Sequence, residues 1–468
     1  MKKTPRLGRL FIQPSFPTSR MHTNRQLIHF YWLFGLALFS STSLQSWLPG
    51  YDWYDQQRLG QLILLLIACP LALSKPPNLS PKTILLIGIF FCLGAISSIS
   101  AKAPSWALKE WSIYAGLLLL SFSSSSITRN QTTQNLVFMA ITACGTVFAA
   151  MFYTYYIIAL SVKITALDPY LLVYGFDNPR FLGQFQILLI PILAGLSVER
   201  RSSISLSVFL LIILILQWSI AWSLAGRGFL LAVLLSSFSL LIIHKRKHFR
   251  LIITLAATAL AGLLLFSACF IGIPALLEIP HQQYDSLRVD LSKRDTIWLL
   301  ALNMTIESPW IGAGPMHFAA ARSHIAAHPH QIFLQLLAEW GAPATISAAT
   351  VILYSFRKAI SAVRASPAPM DAALWISLSG GLLLAQVDGV LVTPYTQGWL
   401  AILSGVALAR WAEGNDRNCF MKILILPLLL MSFFICGEVV LSSIGVVDFS
   451  QKHMNSGPPR YWGSGWIY

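Results

Sequence analysis

Residues 83–100 read TILLIGIFFCLGAISSIS and residues 204–223 read ISLSVFLLIILILQWSIAWS. Each run is apolar, nearly uncharged and long enough to cross a hydrocarbon core of about 30 Å as a helix. Similar runs recur near 27–48, 59–74, 106–124, 135–161, 181–198, 228–243, 251–276, 331–356, 370–387, 395–411 and 422–445. Away from water, backbone N–H and C=O groups must bond within their own segment. The runs therefore predict an all-α fold, a polytopic membrane helical bundle of about 12–13 transmembrane helices. Composition agrees, with 56% hydrophobic and 11% charged residues and a mean hydropathy of +0.65. The basic opening, MKKTPRLGRLFIQPSFPTSR, lacks the apolar core and small-residue cleavage site of a secretory signal. The first apolar run is therefore expected to remain as a membrane helix.

A net charge of +15 could suggest a nucleic-acid partner. Its distribution argues otherwise. HKRKHFR (244–250) and ERR (199–201) close short loops, and most of the 33 Lys and Arg fall on the same side as the basic N-terminus. The positive-inside rule makes that side the inner one and these charges topology anchors, so no nucleic-acid partner is expected. The six cysteines lie mostly within apolar runs and form no CxxC pair; they read as small buried hydrophobes. The chain divides into an N-terminal transmembrane bundle (1–276), a large outer loop (277–330) and C-terminal transmembrane helices (331–468), together one integrated membrane domain. A loop of that length is expected to carry function.

Within the loop, apolar spacing predicts an amphipathic helix from about Asp290 to Glu307, ended by Ser308-Pro309 and followed by the flexible turn Gly312–Gly314. Arg288 and Arg294 fall on its polar side. Two more arginines occupy outer positions where helices enter the membrane: Arg180 in FDNPRFLGQFQ and Arg227 in SLAGRGFLLAVLL. A lone arginine there is commonly a snorkelling anchor. Four in one region point to an anionic pocket, because guanidinium groups hold phosphate bidentately and stay charged. The acidic residues Asp177, Asp285, Asp290, Asp295 and Asp388 are scattered without a DxD pair, which argues against divalent-cation chemistry. His317 and His324 are loop residues. His328 and His330 flank Pro329 at the mouth of the helix that follows. An HxH pair alone does not complete a zinc site, so no metal is expected. A neutral imidazole beside arginines can take a proton from a hydroxyl; the alternative is a histidine capping the helix.

Three stretches, GRGFLLAVLL, RDTIWLLALNMTIESPWIGAGPMHF and HPHQIFLQLLAEWG, occur in an order that resembles the signatures of the O-antigen ligase and polymerase superfamily. The resemblance is strongest over about 170–345. It implies transfer of glycans from undecaprenyl diphosphate, at the periplasmic face of the bacterial inner membrane and without a cofactor. The acceptor in such a family is lipid A-core, another glycan, or Ser/Thr of a protein such as pilin. By position, His330 corresponds to the family's essential loop histidine, followed at family spacing by Leu334, Gln335, Glu339 and Gly341; Gln331 stands where Asn is commoner. Arg227 and Arg294 match positions that hold the donor diphosphate. NPRFLGQFQ, around Arg180, looks like an element of the pilin O-oligosaccharyltransferase branch, and DGVLVTPYTQGW (388–399) looks like a late family motif.

The resemblance implies a metal-independent, inverting transfer. In it Arg180, Arg227, Arg294 and Arg288 neutralise the diphosphate and His330 deprotonates the acceptor. His328, Gln335 and Glu339 give support. The branch element tilts the expected acceptor toward pilin. The rival class is a transporter of the polyprenyl-linked glycan. Transporters centre their sites near the bilayer midplane and commonly carry repeats, whereas these residues lie at an outer mouth and no repeat is visible.

Overall fold

A computed structural model describes residues 19–73, 76–77, 79–162, 167–199, 203–243, 247–279, 293–321, 325–411, 419–444 and 459–463. The first helices are α1 (Ser19–Ser41), α2 (Trp53–Ala68), α3 (Pro81–Ser100), α4 (Pro104–Ile127) and α5 (Gln131–Ser161). They are followed by α6 (Pro179–Glu199), α7 (Ile204–Ser223), α8 (Arg227–Ile243), α9 (Phe249–Ser267) and α10 (Ile273–Leu276), the last joined to α9 through one wide π turn. Then come α11 (Arg294–Glu307), α12 (His317–Ala320), α13 (Ile332–Trp340), α14 (Ala342–Ala365), α15 (Pro369–Leu384), α16 (Pro394–Trp411) and α17 (Cys419–Ile444). The fold is a polytopic helical membrane bundle.

Proline opens many of these helices: it stands in the first turn of α3, α4, α14 and α15 and is the first residue of α6 and α16. Its missing N–H costs nothing where no intrahelical partner exists, and its fixed φ suits a helix start. At the centre stands α6, buried at every residue from Gln184 to Ser197 and packed against α7 and α15. Two glutamines inside the bundle tie neighbouring helices together. Gln186 donates to Gln217, and Gln217 donates to the Gly145 carbonyl at 2.6 Å. The periphery is apolar and exposed, as at Ile212, Leu234, Leu264, Leu353 and Phe434. That belt suits lipid and would not suit water.

Among the described residues, eight helices are long and apolar enough to cross a membrane, with α8 and α15 shorter apolar helices. Every expected run coincides with a helix, with one correction. The run at 331–356 is not one span. It is broken at Gly341, whose φ is +80°, into the short α13 and the crossing α14. The break is held from outside, since the Ala342 N–H donates to the Pro309 carbonyl and the Ala313 and Gly314 N–H groups donate to the carbonyls of Ala338 and Glu339. The 309–314 turn thus lies against the end of α13. The expected amphipathic helix begins at Arg294, and 290–292 lie outside the described residues. Its buried side (Ile297 and Ala301) packs on Phe318 and Ala338. These segments and the starts of α2, α4, α6 and α8 share one end of the bundle, the loop face.

Trp340 wedges the end of α13 into the bundle, stacked on Phe90 at 4.6 Å and edge-on to Tyr114. A Cβ on Gly94 would stand 2.0 Å from its ring. Gly94→Val should therefore destabilise the protein by about 1–3 kcal/mol, read as a lower melting temperature in detergent. The control Gly88→Val, where the nearest atom is Leu424 Cδ1 at 3.7 Å, should change it little.

Candidate functional site

The histidine loop is set by Pro329, which keeps His328 out of helical conformation. His328 is buried and its Nδ1 accepts the His330 N–H at 3.2 Å. The ring of His328 lies over Gly389, where a Cβ would approach its Cε1 to 2.7 Å, so only glycine fits beneath it. His330 takes φ +53°, a left-handed geometry that histidine tolerates better than most residues. It turns the chain into α13, which Gln331 caps by accepting the Leu334 N–H. Two neighbours clamp the loop: Trp298 of α11 donates to the Pro329 carbonyl at 3.0 Å, and the Ile332 N–H donates to the Ala385 carbonyl at 3.1 Å.

His330 Nδ1 faces Asp388 Oδ1 at 3.7 Å, beyond hydrogen-bond length, and has no hydrogen-bond partner. Asp388 is held by Gln184 Nε2 of α6 at 2.9 Å and by the Gly389 N–H at 2.7 Å. A small closure would complete an Asp–His hydrogen bond.

Three arginines stand in the first turns of three helices. Arg180 is the second residue of α6, its N–H bonded to Asn178 Oδ1 at 2.9 Å; Arg227 opens α8 and Arg294 opens α11. Arg180 and Arg227 are exposed and Arg294 is half-buried. Gly228 lets the start of α8 approach Val387 and Leu384, whose side chains would lie 3.1 and 3.3 Å from a Cβ there. Cations at helix N-termini oppose the helix dipole, by about 0.3–1 kcal/mol each, and here they also face one another. The pKa of Arg294 is lowered by burial and by Arg180 and Arg227, against the pull of Asp388. That of His330 is pushed down to about 4 by burial, with Asp388 opposing and Arg294 and Arg180 adding. Arg180, Arg227, Arg294, Asp388 and His330 thus share one electrostatic field. Its excess positive charge suits an anion supplied from outside.

Other expected residues lie elsewhere. Arg288 and His324 fall outside the described residues. His317 is buried in a fixed role, accepting the Ala103 N–H at 3.0 Å through Nε2 while Nδ1 sits 3.0 Å from the Pro315 carbonyl. Gln335 and Glu339 belong to a second, buried cluster. There Arg460 bridges Glu339 and Glu110 of α4 at 2.6 and 2.7 Å, and Gln335 lies beside the same groups. Burial pushes the Glu339 carboxyl up to about 7, with Arg460 opposing and Glu110 adding.

Sequence reasoning did not single out Asp388, Gln184, Glu110 or Arg460. Two carried a signal: Asp388 opens the late motif DGVLVTPYTQGW, and Glu110 interrupts an apolar run. Arg460 carried none.

Residues 208–349 match a family model described as O-antigen ligase. The match takes in Arg227, Arg294 and the histidine loop and leaves out Arg180, Asp388 and Arg460. It supports glycan transfer of the O-antigen ligase or polymerase type. No curated protein matches the chain.

A histidine with a folded pKa near 4 instead of ~6.5 adds stability above pH 6.5, and that stability is lost as pH falls through 4. His330 should therefore stay neutral at pH 6 in the free protein. Bound anion favours the imidazolium, so inorganic diphosphate should raise the His330 pKa by about one unit or more. Near pH 5, calorimetry in buffers of different ionisation enthalpy should then register more proton uptake on binding by wild type than by a His330→Gln variant, the ligand's own ionisation being common to both.

Proposed function

We propose that the loop face transfers a glycan from undecaprenyl diphosphate to an acceptor hydroxyl, on the periplasmic side of the bacterial inner membrane. The favoured acceptor is Ser or Thr of a protein such as pilin; lipid A-core or another glycan would make it a ligase or a polymerase. The reading rests chiefly on His330 standing in one electrostatic field with Arg294, Arg180 and Asp388.

In this reading Arg180, Arg227 and Arg294 bind the diphosphate, and their charge serves where a divalent cation otherwise would. Arg288 is a further candidate from sequence. The diphosphate's negative charge raises the His330 pKa from its unliganded value toward the working pH, where a general base is most effective. With the 3.7 Å gap closed on binding, Asp388 would accept the Nδ1–H of His330, which leaves the Nε2 lone pair for the acceptor. Nε2 takes the hydroxyl proton as the acceptor oxygen bonds to the anomeric carbon. The bond from that carbon to the diphosphate oxygen breaks, and the arginines hold the charge that remains on undecaprenyl diphosphate. Attack opposite the leaving group inverts the anomeric centre. His328, as a neutral acceptor for the His330 backbone N–H, fixes the turn that carries the ring, while Gln335 and Glu339 support α13 from the buried cluster.

The test uses a host lacking its own ligase and pilin transferase, with pilin supplied and both pilin and lipopolysaccharide probed for glycan. Wild type should glycosylate pilin. His330→Ala should lower transfer by about 10²–10⁴-fold at unchanged expression. Glutamine at Arg180, Arg227 or Arg294 should cost about 10²–10³-fold, and Asp388→Asn should fall between wild type and His330→Ala. Glycan on lipid A-core alone would reassign the acceptor, and an active His330→Ala would remove the histidine from the chemistry.

A further inference from the structure

The tail residues Pro459–Gly463 run through the loop face, with Arg460, Tyr461 and Trp462 buried. Arg460 donates from Nε and Nη2 to the two oxygens of Glu110 at 3.0 and 2.7 Å, and from Nη2 to Glu339 at 2.6 Å. Its Nη1 reaches the Ala327 carbonyl at 3.4 Å. Turned to satisfy its neighbours, the Gln335 amide presents its oxygen to the same guanidinium at 2.9 Å. The tail backbone is anchored as well. Tyr54 donates to the Arg460 carbonyl at 2.6 Å, Arg58 Nε to the Tyr461 carbonyl at 2.9 Å, and the Gly463 N–H to Asp55 at 2.5 Å. Five residues from the far end of the chain thereby join α2, α4 and α13.

The contact with Ala327 connects this cluster to the site. Ala327 precedes His328, and His328 Nδ1 accepts the N–H that holds His330 in its left-handed turn. The same guanidinium grips Glu339 beyond the loop, at the end of α13. Both flanks of the segment 328–331 are therefore fastened to one side chain. Were the cluster only an anchor for the tail, it would need a carboxylate partner but no contact with the loop.

We infer that residues 459–463 form an internal strap whose Arg460 positions the His330 loop for glycan transfer. Arg460 is a positioning residue: it touches neither donor nor acceptor. The inference rests on the transfer reading for its catalytic consequence, while its structural consequence stands apart from that reading.

The test uses the full chain in nanodiscs, with two readouts: hydrogen–deuterium exchange over 325–331, and steady-state transfer from a polyprenyl-diphosphate glycan. Arg460→Lys keeps the charge but loses the planar fork that spans two carboxylates and a carbonyl. Exchange over 325–331 should rise about threefold or more while the starts of α6 and α8 stay as in wild type. The kcat should fall about three- to tenfold with donor KM within about twofold, the split expected when geometry rather than binding is lost. The neutral triple variant Glu110→Gln/Glu339→Gln/Arg460→Met strands none of the three cluster charges. It should melt close to wild type yet show the same two losses, and it decides the matter if Arg460→Lys does not accumulate. Wild-type exchange and kcat in a folded variant would overturn the inference, as would a rise in exchange spread evenly over α2 and α4. A wild type that transfers nothing would sink the transfer reading, and exchange over 325–331 would still report on the strap.

Discussion

One guanidinium between two carboxylates holds the loop face together. Arg460, Glu110 and Glu339 come from the tail, α4 and α13 and meet in a space closed to solvent. Burying three charged groups is expensive, and such a cluster is weak evidence for net stability. It is strong evidence for geometry, because removing one member strands the others at a cost of about 3–5 kcal/mol. The chain accepts that constraint where three elements distant in sequence must keep a fixed relation. The histidine loop lies between them, clamped on its other side by Trp298.

The arginine site follows a different logic. Here charge is concentrated without being balanced. Arg180, Arg227 and Arg294 each sit where a helix dipole already points its positive end. Asp388 supplies the opposing negative charge, and it also faces His330. The buried cluster spends its carboxylates on Arg460; the open site withholds them from its arginines. A polyanionic ligand would relieve the repulsion there, and would lift His330 toward the protonation range a base requires. Rigid support on one side and unmet charge on the other are what the proposed transfer, with its diphosphate leaving group, calls for.

How much of this could be read beforehand varies from residue to residue. The helices were plain, since an apolar run in lipid has one way to satisfy its backbone. Even so, the run at 331–356 reads as a single span. The break at Gly341 becomes visible only when the 309–314 turn is seen donating to the carbonyls of α13. Arg180, Arg227 and Arg294 stood out because cations are misplaced at outer helix starts, and the structure gathers them. Gln335 and Glu339 were legible as a spacing, but their partner was not: they face Arg460, some 120 residues on. Asp388 looked like one scattered acid among several until α6 and α15 brought it to His330.

The sequence by itself determined that this chain lies in a membrane as helices, and which residues are out of place there: arginines at helix mouths and histidines around a proline. Those are local matters, governed by the solvation of each segment. Tertiary structure alone decided which misplaced charges meet. Asp388 with His330, and Arg460 with Glu110 and Glu339, are pairings between segments far apart in the chain. Ion pairs have no sequence period to betray them; they follow from which helices pack together. In lipid that choice is made by shape and small residues as much as by charge.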